Sequence, residues 1–230
     1  MIKKKIVTIV GAGVIGAGWA ARMLACGLIV NAYDPSVKAR KQLLSNTKTA
    51  LKSLQRLGLN KNAKLSNLKI YSDLRESLHS TTFVQENAPE NEKLKKKLLK
   101  DIDKLLPKNI IIASSSSGLL PTRIQSLCNY PERVCIGHPF NPVYLLPLVE
   151  LVSGKQTKKN TITRAKKFYE GIGMKPLIVK KEIEGYISDR LQEALWREAL
   201  HIIKDGIAST QDVDDAIVYG PGLRLSLIHI

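Results

Sequence analysis

An α/β fold, a mostly parallel sheet domain followed by the start of an all-helical domain, is predicted by three features of this 230-residue chain. Short β-branched runs alternate with amphipathic stretches through the first part of the chain. A glycine-rich turn joins the first run to the first apolar stretch. From about residue 182 onward the pattern is helical only. Such alternation implies βαβ units, because parallel neighbours need a crossover connection and that crossover is usually a helix.

The elements follow in order. Residues 5–10 (KIVTIV) are β-branched and end in glycines, as a first strand does. The basic start imitates a secretory leader, but the apolar run passes straight into GAGVIGAG without a polar cleavage region. Residues 14–25 read as an apolar helix and 28–33 as a second strand closing at Asp34-Pro35. Pro35 suits the first turn of a helix running towards Leu57, where its missing N–H goes unmissed. Residues 81–84, 110–112 and 134–136 are further short strands. Residues 186–204 form a long amphipathic helix, and 210–217 a second one opened by the polar cap Ser209. The boundary falls near residue 181: a sheet domain over 1–181, and the N-terminal part of a helical domain over 182–230.

Composition narrows the function classes. Hydrophobic residues make up 44% and charged residues 24%, which excludes a disordered chain or a fibre. No apolar run approaches the ~18 residues of a membrane span. The net charge of +16 is spread along the chain. In KLKKKLLK, Leu94, Leu98 and Leu99 fall at helical spacing, so the lysines read as the solvated face of a packed helix. Neither a nucleic acid nor a membrane is therefore expected as partner. Cys26, Cys128 and Cys135 are odd in number and lack metal-ligand spacing; they point to a reducing, cytoplasmic setting and to no metal.

Chemistry enters at Gly11-Ala12-Gly13-Val14-Ile15-Gly16. A lone GxGxxG is weak, but this one lies between a strand and a helix, with Asp34 at the end of the second strand. Gly11 permits the tight turn, Gly13 lets backbone approach a pyrophosphate, and Gly16 lets the helix pack on the sheet, with Val14 and Ile15 opening the helix. The helix N-terminus offers free N–H groups to phosphate. Asp34 accepts from ribose hydroxyls and repels a 2′-phosphate. The context therefore predicts a Rossmann-type domain that takes NAD rather than NADP.

The second constellation is GHPFNP at 137–142, followed by PLVE at 147–150. Among four histidines, His138 is the one that closes a strand and opens a proline-rich loop. A neutral imidazole accepts a hydroxyl proton near neutral pH, and Glu150 is placed to hold the other ring nitrogen. Spacing alone leaves a structural and a catalytic histidine equally open.

At these residues the chain resembles the 3-hydroxyacyl-CoA dehydrogenase superfamily, whose signature runs from a serine cluster through H-x-F-N-P to L-V-E. Within it the wording of GVIGAGWAARML, FVQENAPE, ASSSSGLLP, GHPFNPVYLLPLVE and DRLQEALWREAL is similar to the L-carnitine 3-dehydrogenases. The resemblance implies a dinucleotide domain followed by a helical domain that dimerises. It also implies His138 as general base, Glu150 as its orienting carboxylate, Ser117 as the hydroxyl on the reacting oxygen, and Glu86 near the nicotinamide ribose. Ser114, Ser115 and Ser116 are read as turn and capping residues.

Two departures stand out. Acyl-CoA members usually carry asparagine where this chain has Asp189, and a carboxylate cannot donate as the amide does; pairing with Arg190 or Arg197, or negative charge for a cationic substrate, are the alternatives left open for it. Family members also continue through several more helices after GPGLR, whereas this sequence stops at LSLIHI, as a fragment or a foreign tail would. A small-molecule substrate with a trimethylammonium group calls for aromatic faces. Phe140, Tyr144 and Trp196 are the candidates, Tyr219 is a weaker one, and core packing competes for Trp196. Three functions are thus expected in turn: NAD-dependent oxidation of the 3-hydroxyl of carnitine, the same chemistry on a 3-hydroxyacyl-CoA, or an inactive NAD-binding fragment.

Overall fold

The chain divides into two units, Met1–Tyr186 and Ile187–Ile230, in a computed structural model that describes residues 5–55 and 63–224. The first unit holds eight strands: β1 (Ile6–Val10), β2 (Ile29–Tyr33), β3 (Leu68–Tyr71), β4 (Phe83–Glu86), β5 (Ile111–Ser114), β6 (Val134–Pro139), β7 (Leu148–Ser153) and β8 (Lys175–Val179). They form one sheet in the order β3-β2-β1-β4-β5-β6-β7-β8. Every pairing is parallel except β6 with β7. The central strands are buried nearly throughout because helices cover both faces.

Those helices are α1 (Val14–Ala25), α2 (Val37–Leu54), α3 (Leu74–Ser77), α4 (Glu92–Leu105), α5 (Pro121–Ile124) and α6 (Lys159–Gly171). One core gathers Trp19, Met23, Leu43, Phe83 and Tyr169, and the other gathers Val84, Leu99, Ile102, Ile112 and Ile136. Register decides where the site lies. Val10 stands beside Glu86, Glu86 beside Ser114, and Ser114 beside Ile136. The segments that follow Val10, Glu86 and Ser114 therefore leave the sheet at one edge, past which β6 runs on to Pro139; this carboxyl end of the parallel strands is where open α/β sheets bind ligands.

Several expectations shift. The helix expected to open on Pro35 begins at Val37, with Ser36 as its cap accepting from the Ala39 N–H at 3.2 Å. It ends at Leu54, so Leu57 falls outside the described residues. Strands β3, β7 and β8 are not among the expected strands: LKIY is short and carries a lysine, LVELVS has a glutamate at its centre, and KPLIV opens on Lys-Pro. The long C-terminal helix, α7, spans Ser188–Lys204 and not 186 onward. Gly185 (φ 72°) and Tyr186 (φ 45°) are left-handed there, which stops a right-handed helix from including them.

In the second unit α8 (Thr210–Tyr219) follows α7, and the Ser209–Asp212 capping box starts it. Trp196 is 61% exposed on α7. The core-packing expectation for it therefore fails. Among the described residues no helix is long and apolar enough to cross a membrane.

Candidate active site

The glycine turn is fixed by backbone and space together. Gly11 has φ 100°, and a Cβ there would lie 2.7 Å from the Asn87 carbonyl. A Cβ on Gly16 would sit 2.0 Å from the Gly11 oxygen. Both positions exclude any side chain. Gly13 differs: nothing lies within 4 Å of where its Cβ would be. That open space at the N-terminus of α1 is the cradle a pyrophosphate needs.

Around it runs a cleft of about 610 Å³ lined by Gly11, Gly13, Val14, Ile15, Asp34 and, opposite, Asn87 to Pro89 with Leu94 and Leu98. Its apolar walls suit a flat ring and its glycine end suits phosphate, so the residues present fit NAD. Asp34 is held by two backbone donors, the Ala12 N–H and the Ser36 N–H, each at 2.8 Å. A carboxylate has lone pairs beyond these two for a ribose.

The lysine-rich helix corrects the solvated-face reading at one residue. Lys95 is 1% exposed and pairs with the fully buried Glu86 at 2.9 Å. Its ammonium also donates to the Ala88 carbonyl at 2.8 Å and stands 3.6 Å from Glu90. Lys95 shares a helix face with Leu99 and Ile102, and that inward spacing was the missed signal.

Glu86 is consequently spent: Lys95, the Ser114 hydroxyl and the Ala88 N–H all bond its carboxylate. Its expected place beside a nicotinamide ribose does not agree with this burial. Glu90 is the more open carboxylate of the pair. Burial pushes its carboxyl up, but the Ser116 hydroxyl, the Gly118 N–H, the Lys95 charge and the Leu119 N–H outweigh that and hold it below the ordinary value.

The four serines part company here. Ser114 donates to Glu86, Ser115 to Asn87 at 2.7 Å, and Ser116 to Glu90 at 2.5 Å. Ser115 also accepts from Gln85 and from the Trp19 indole. These three fasten the end of β5 and the loop after it to the end of β4 and the loop after that. Ser116 adds the capping role expected of it, accepting from the Leu119 N–H at 3.1 Å. Ser117, half-buried, makes no side-chain hydrogen bond among the described residues.

His138 and Glu150 are register partners across the β6–β7 pairing. His138 Nδ1 lies 3.0 Å from Glu150 Oε2; the carboxylate is fully buried and the imidazole nearly so. Phe140 meets the imidazole edge-on at 5.4 Å. A second ring, Tyr186, lies 5.5 Å away on the same imidazole and was missed in the sequence. Tyr144, expected beside this loop, packs instead with Ala21, Ala50 and Leu54. Asp189, Gln192, Glu193 and Trp196 line a shallow groove on α7 of the second unit. Among the described residues no set of His, Cys, Asp and Glu converges as a metal site.

Comparison with known proteins gives the family. Residues 6–183 match the family described as 3-hydroxyacyl-CoA dehydrogenase, NAD binding domain, and residues 185–230 match its C-terminal domain. The chain belongs to the 3-hydroxyacyl-CoA dehydrogenase family. It is an NAD-dependent oxidoreductase of the 3-hydroxy dehydrogenase class acting on a small molecule.

Family relatives include an L-carnitine dehydrogenase of Bacillus cereus, 48% identical over 97% of this chain and 69% of its own length. Among solved structures, an NAD⁺-dependent 5-formyl-3-hydroxy-2-methylpyridine 4-carboxylic acid 5-dehydrogenase superposes with a TM-score of 0.90. It is 30% identical over 96% of this chain and 72% of that one. An (S)-3-hydroxybutyryl-CoA dehydrogenase from Ralstonia eutropha gives 0.83 at 31% identity, over 94% of this chain and 77% of that one.

Proposed function

We propose that this family member oxidises the 3-hydroxyl of L-carnitine to the 3-ketone, with His138 as general base. The observation that carries the mechanism is the buried His138–Glu150 pair at 3.0 Å. With Nδ1 turned to Glu150, the hydroxyl proton passes to Nε2, and the carboxylate stabilises the imidazolium that forms. Ser117, the serine not spent on loop fastening, donates a hydrogen bond to the reacting oxygen. NAD, when bound, supplies the acceptor for the hydride leaving C3. Gly13 and the α1 N-terminus hold its phosphates, and Asp34 holds a ribose.

Carnitine is favoured over a thioester by the 48% identity to the Bacillus cereus L-carnitine dehydrogenase. Within the first unit Phe140, edge-on to His138, offers an aromatic face to the trimethylammonium group. The α7 face of Asp189, Glu193 and Trp196 offers the same chemistry in the second. In this reading residues 1–181 are the NAD-binding domain, and 182–230 belong to a substrate and dimerisation domain.

The test is NADH production from L-carnitine and from 3-hydroxybutyryl-CoA in parallel, with His138→Ala as control. Turnover of carnitine that disappears in the variant is the expected result. Turnover of the thioester alone overturns the substrate, and an active His138→Ala overturns the mechanism.

A further inference from the structure

Tyr186 is not part of the chemistry proposed above, yet its placement is unusual. It is fully buried, and its backbone is left-handed at φ 45°, a conformation bulky residues rarely adopt. Two contacts use that conformation. Its ring lies 5.5 Å from the His138 imidazole at an interplanar angle of 55°. Its hydroxyl donates to the Leu119 carbonyl at 2.9 Å. Leu119 ends the serine loop two residues after Ser117, and its own N–H is held by Glu90 and the Ser116 hydroxyl. One side chain thus touches both the base and the loop that carries the substrate-facing serine.

We infer that Tyr186 is a positioning residue that sets the distance between Ser117 and His138, so that both meet one substrate oxygen. The inference rests on the reading of His138 as base. Tyr186 itself transfers no proton: its O–H is directed at a backbone carbonyl, and the ring supplies packing. Glu150 fixes the imidazole from β7, Phe140 from the loop after β6, and Tyr186 links that assembly to the loop after β5. The NAD cleft has no Tyr186 in its lining, so cofactor affinity is separable from this role.

Two variants separate the contacts. Tyr186→Phe keeps the ring and loses one neutral hydrogen bond; kcat falls about three- to tenfold. Tyr186→Leu loses both contacts, and kcat falls about a hundredfold, the scale for a misplaced catalytic group. NADH affinity holds within about twofold in each, the scale that separates a positioning loss from damage to the glycine turn.

A readout independent of turnover is the His138 ring-proton resonances, assigned by their absence in His138→Ala. They hold in Tyr186→Phe and move in Tyr186→Leu. Wild-type kcat in both variants overturns the inference, as does a kcat loss matched by an equal loss of NADH affinity, or ring-proton resonances unmoved in Tyr186→Leu. Inactive His138→Ala beside fully active Tyr186 variants removes this inference alone. Active His138→Ala removes the base, and the positioning role with it.

Discussion

Replacing Lys95 by methionine tests a buried ion pair of the fold. The Lys95 ammonium is 1% exposed and Glu86 is fully buried, so Lys95→Met leaves a carboxylate in the interior without its cation. Breaking a buried pair from one side costs about 3–5 kcal/mol, because the remaining charge is not rehydrated. The lower end applies here, since the Ser114 hydroxyl and the Ala88 N–H still bond Glu86. For a chain of this size each kcal/mol moves Tm by roughly 2–4 °C, so a fall of about 6–12 °C follows. Adding Glu86→Gln removes the stranded charge while keeping an acceptor for Ala88 and a side chain for Ser114. The double variant therefore costs less than the sum of the singles by about 2–3 kcal/mol. Urea unfolding of the wild type, both singles and the double measures this cycle. A Lys95→Met cost below about 1 kcal/mol, or simple additivity, would refute the reasoning, because either means the pair is effectively solvated.

The remaining predictions concern the cofactor, the base and the thiols. Gly13→Ala folds with wild-type Tm, since its methyl meets only open space, but loses about tenfold or more in NADH affinity by fluorescence titration. Asp34→Ser raises the NADP-to-NAD ratio of kcat/KM by about tenfold or more: the repelling carboxylate goes, and Arg40, now bonded to the Asp34 and Pro35 carbonyls, stands beside the position. Glu150→Gln lowers kcat by about 10²–10³ with little change in NADH affinity, since an amide does not stabilise imidazolium as a carboxylate does. Burial pushes the Cys135 thiol up to about 12, and burial with the Asp103 charge does the same to Cys128, against the opposing charge of Arg133. Both folded values lie above the ordinary thiol value of 9.0, so their stabilising effect is complete below pH 9 and is lost as pH rises towards 12. Cys135→Ala flattens that alkaline fall in a pH series of unfolding curves, and both native thiols resist iodoacetamide at pH near 8, about the ordinary thiol range.

What could be read in advance follows from the range of the interaction that encodes it. The glycine turn, Asp34 and the Ser209 cap are local: a few consecutive residues decide them, and the structure places them as expected. The His138–Glu150 pair was within reach because both residues lie in one motif-bearing stretch, GHPFNPVYLLPLVE, twelve residues apart. Lys95 was misjudged because charge patterning assumes a lysine faces water, and only the distant Glu86, nine residues earlier on another element, reverses that. Glu86 was misjudged for the same reason seen from the other side. Tyr186 was absorbed into the following helix, since a left-handed backbone on an aromatic residue leaves no mark in hydrophobic periodicity. Tyr144 and Trp196 show the limit for aromatic residues: their chemistry is legible, but which surface they face is set by packing.

The single antiparallel pairing explains how this sheet brings His138 and Glu150 together at all. In a wholly parallel sheet each new strand starts at the edge opposite to where the last one ended. A carboxylate near the start of β7 would then lie a full strand length from the end of β6. Reversing β7 brings its beginning back to the carboxyl edge, so Glu150, third in its strand, stands opposite His138, fifth in its own. Because side chains alternate faces, a one-residue slip in this pairing would turn Glu150 away from the imidazole entirely. That register is pinned from behind, where β8 returns parallel to β7 and sets Leu177 beside Glu150. The fully buried carboxylate is thus held between two strands, and the loop after β6 is free to carry Phe140 to the imidazole without disturbing the pair. The strand that breaks the parallel rule is the one that sets Glu150 against His138, the pair on which the proposed proton transfer rests.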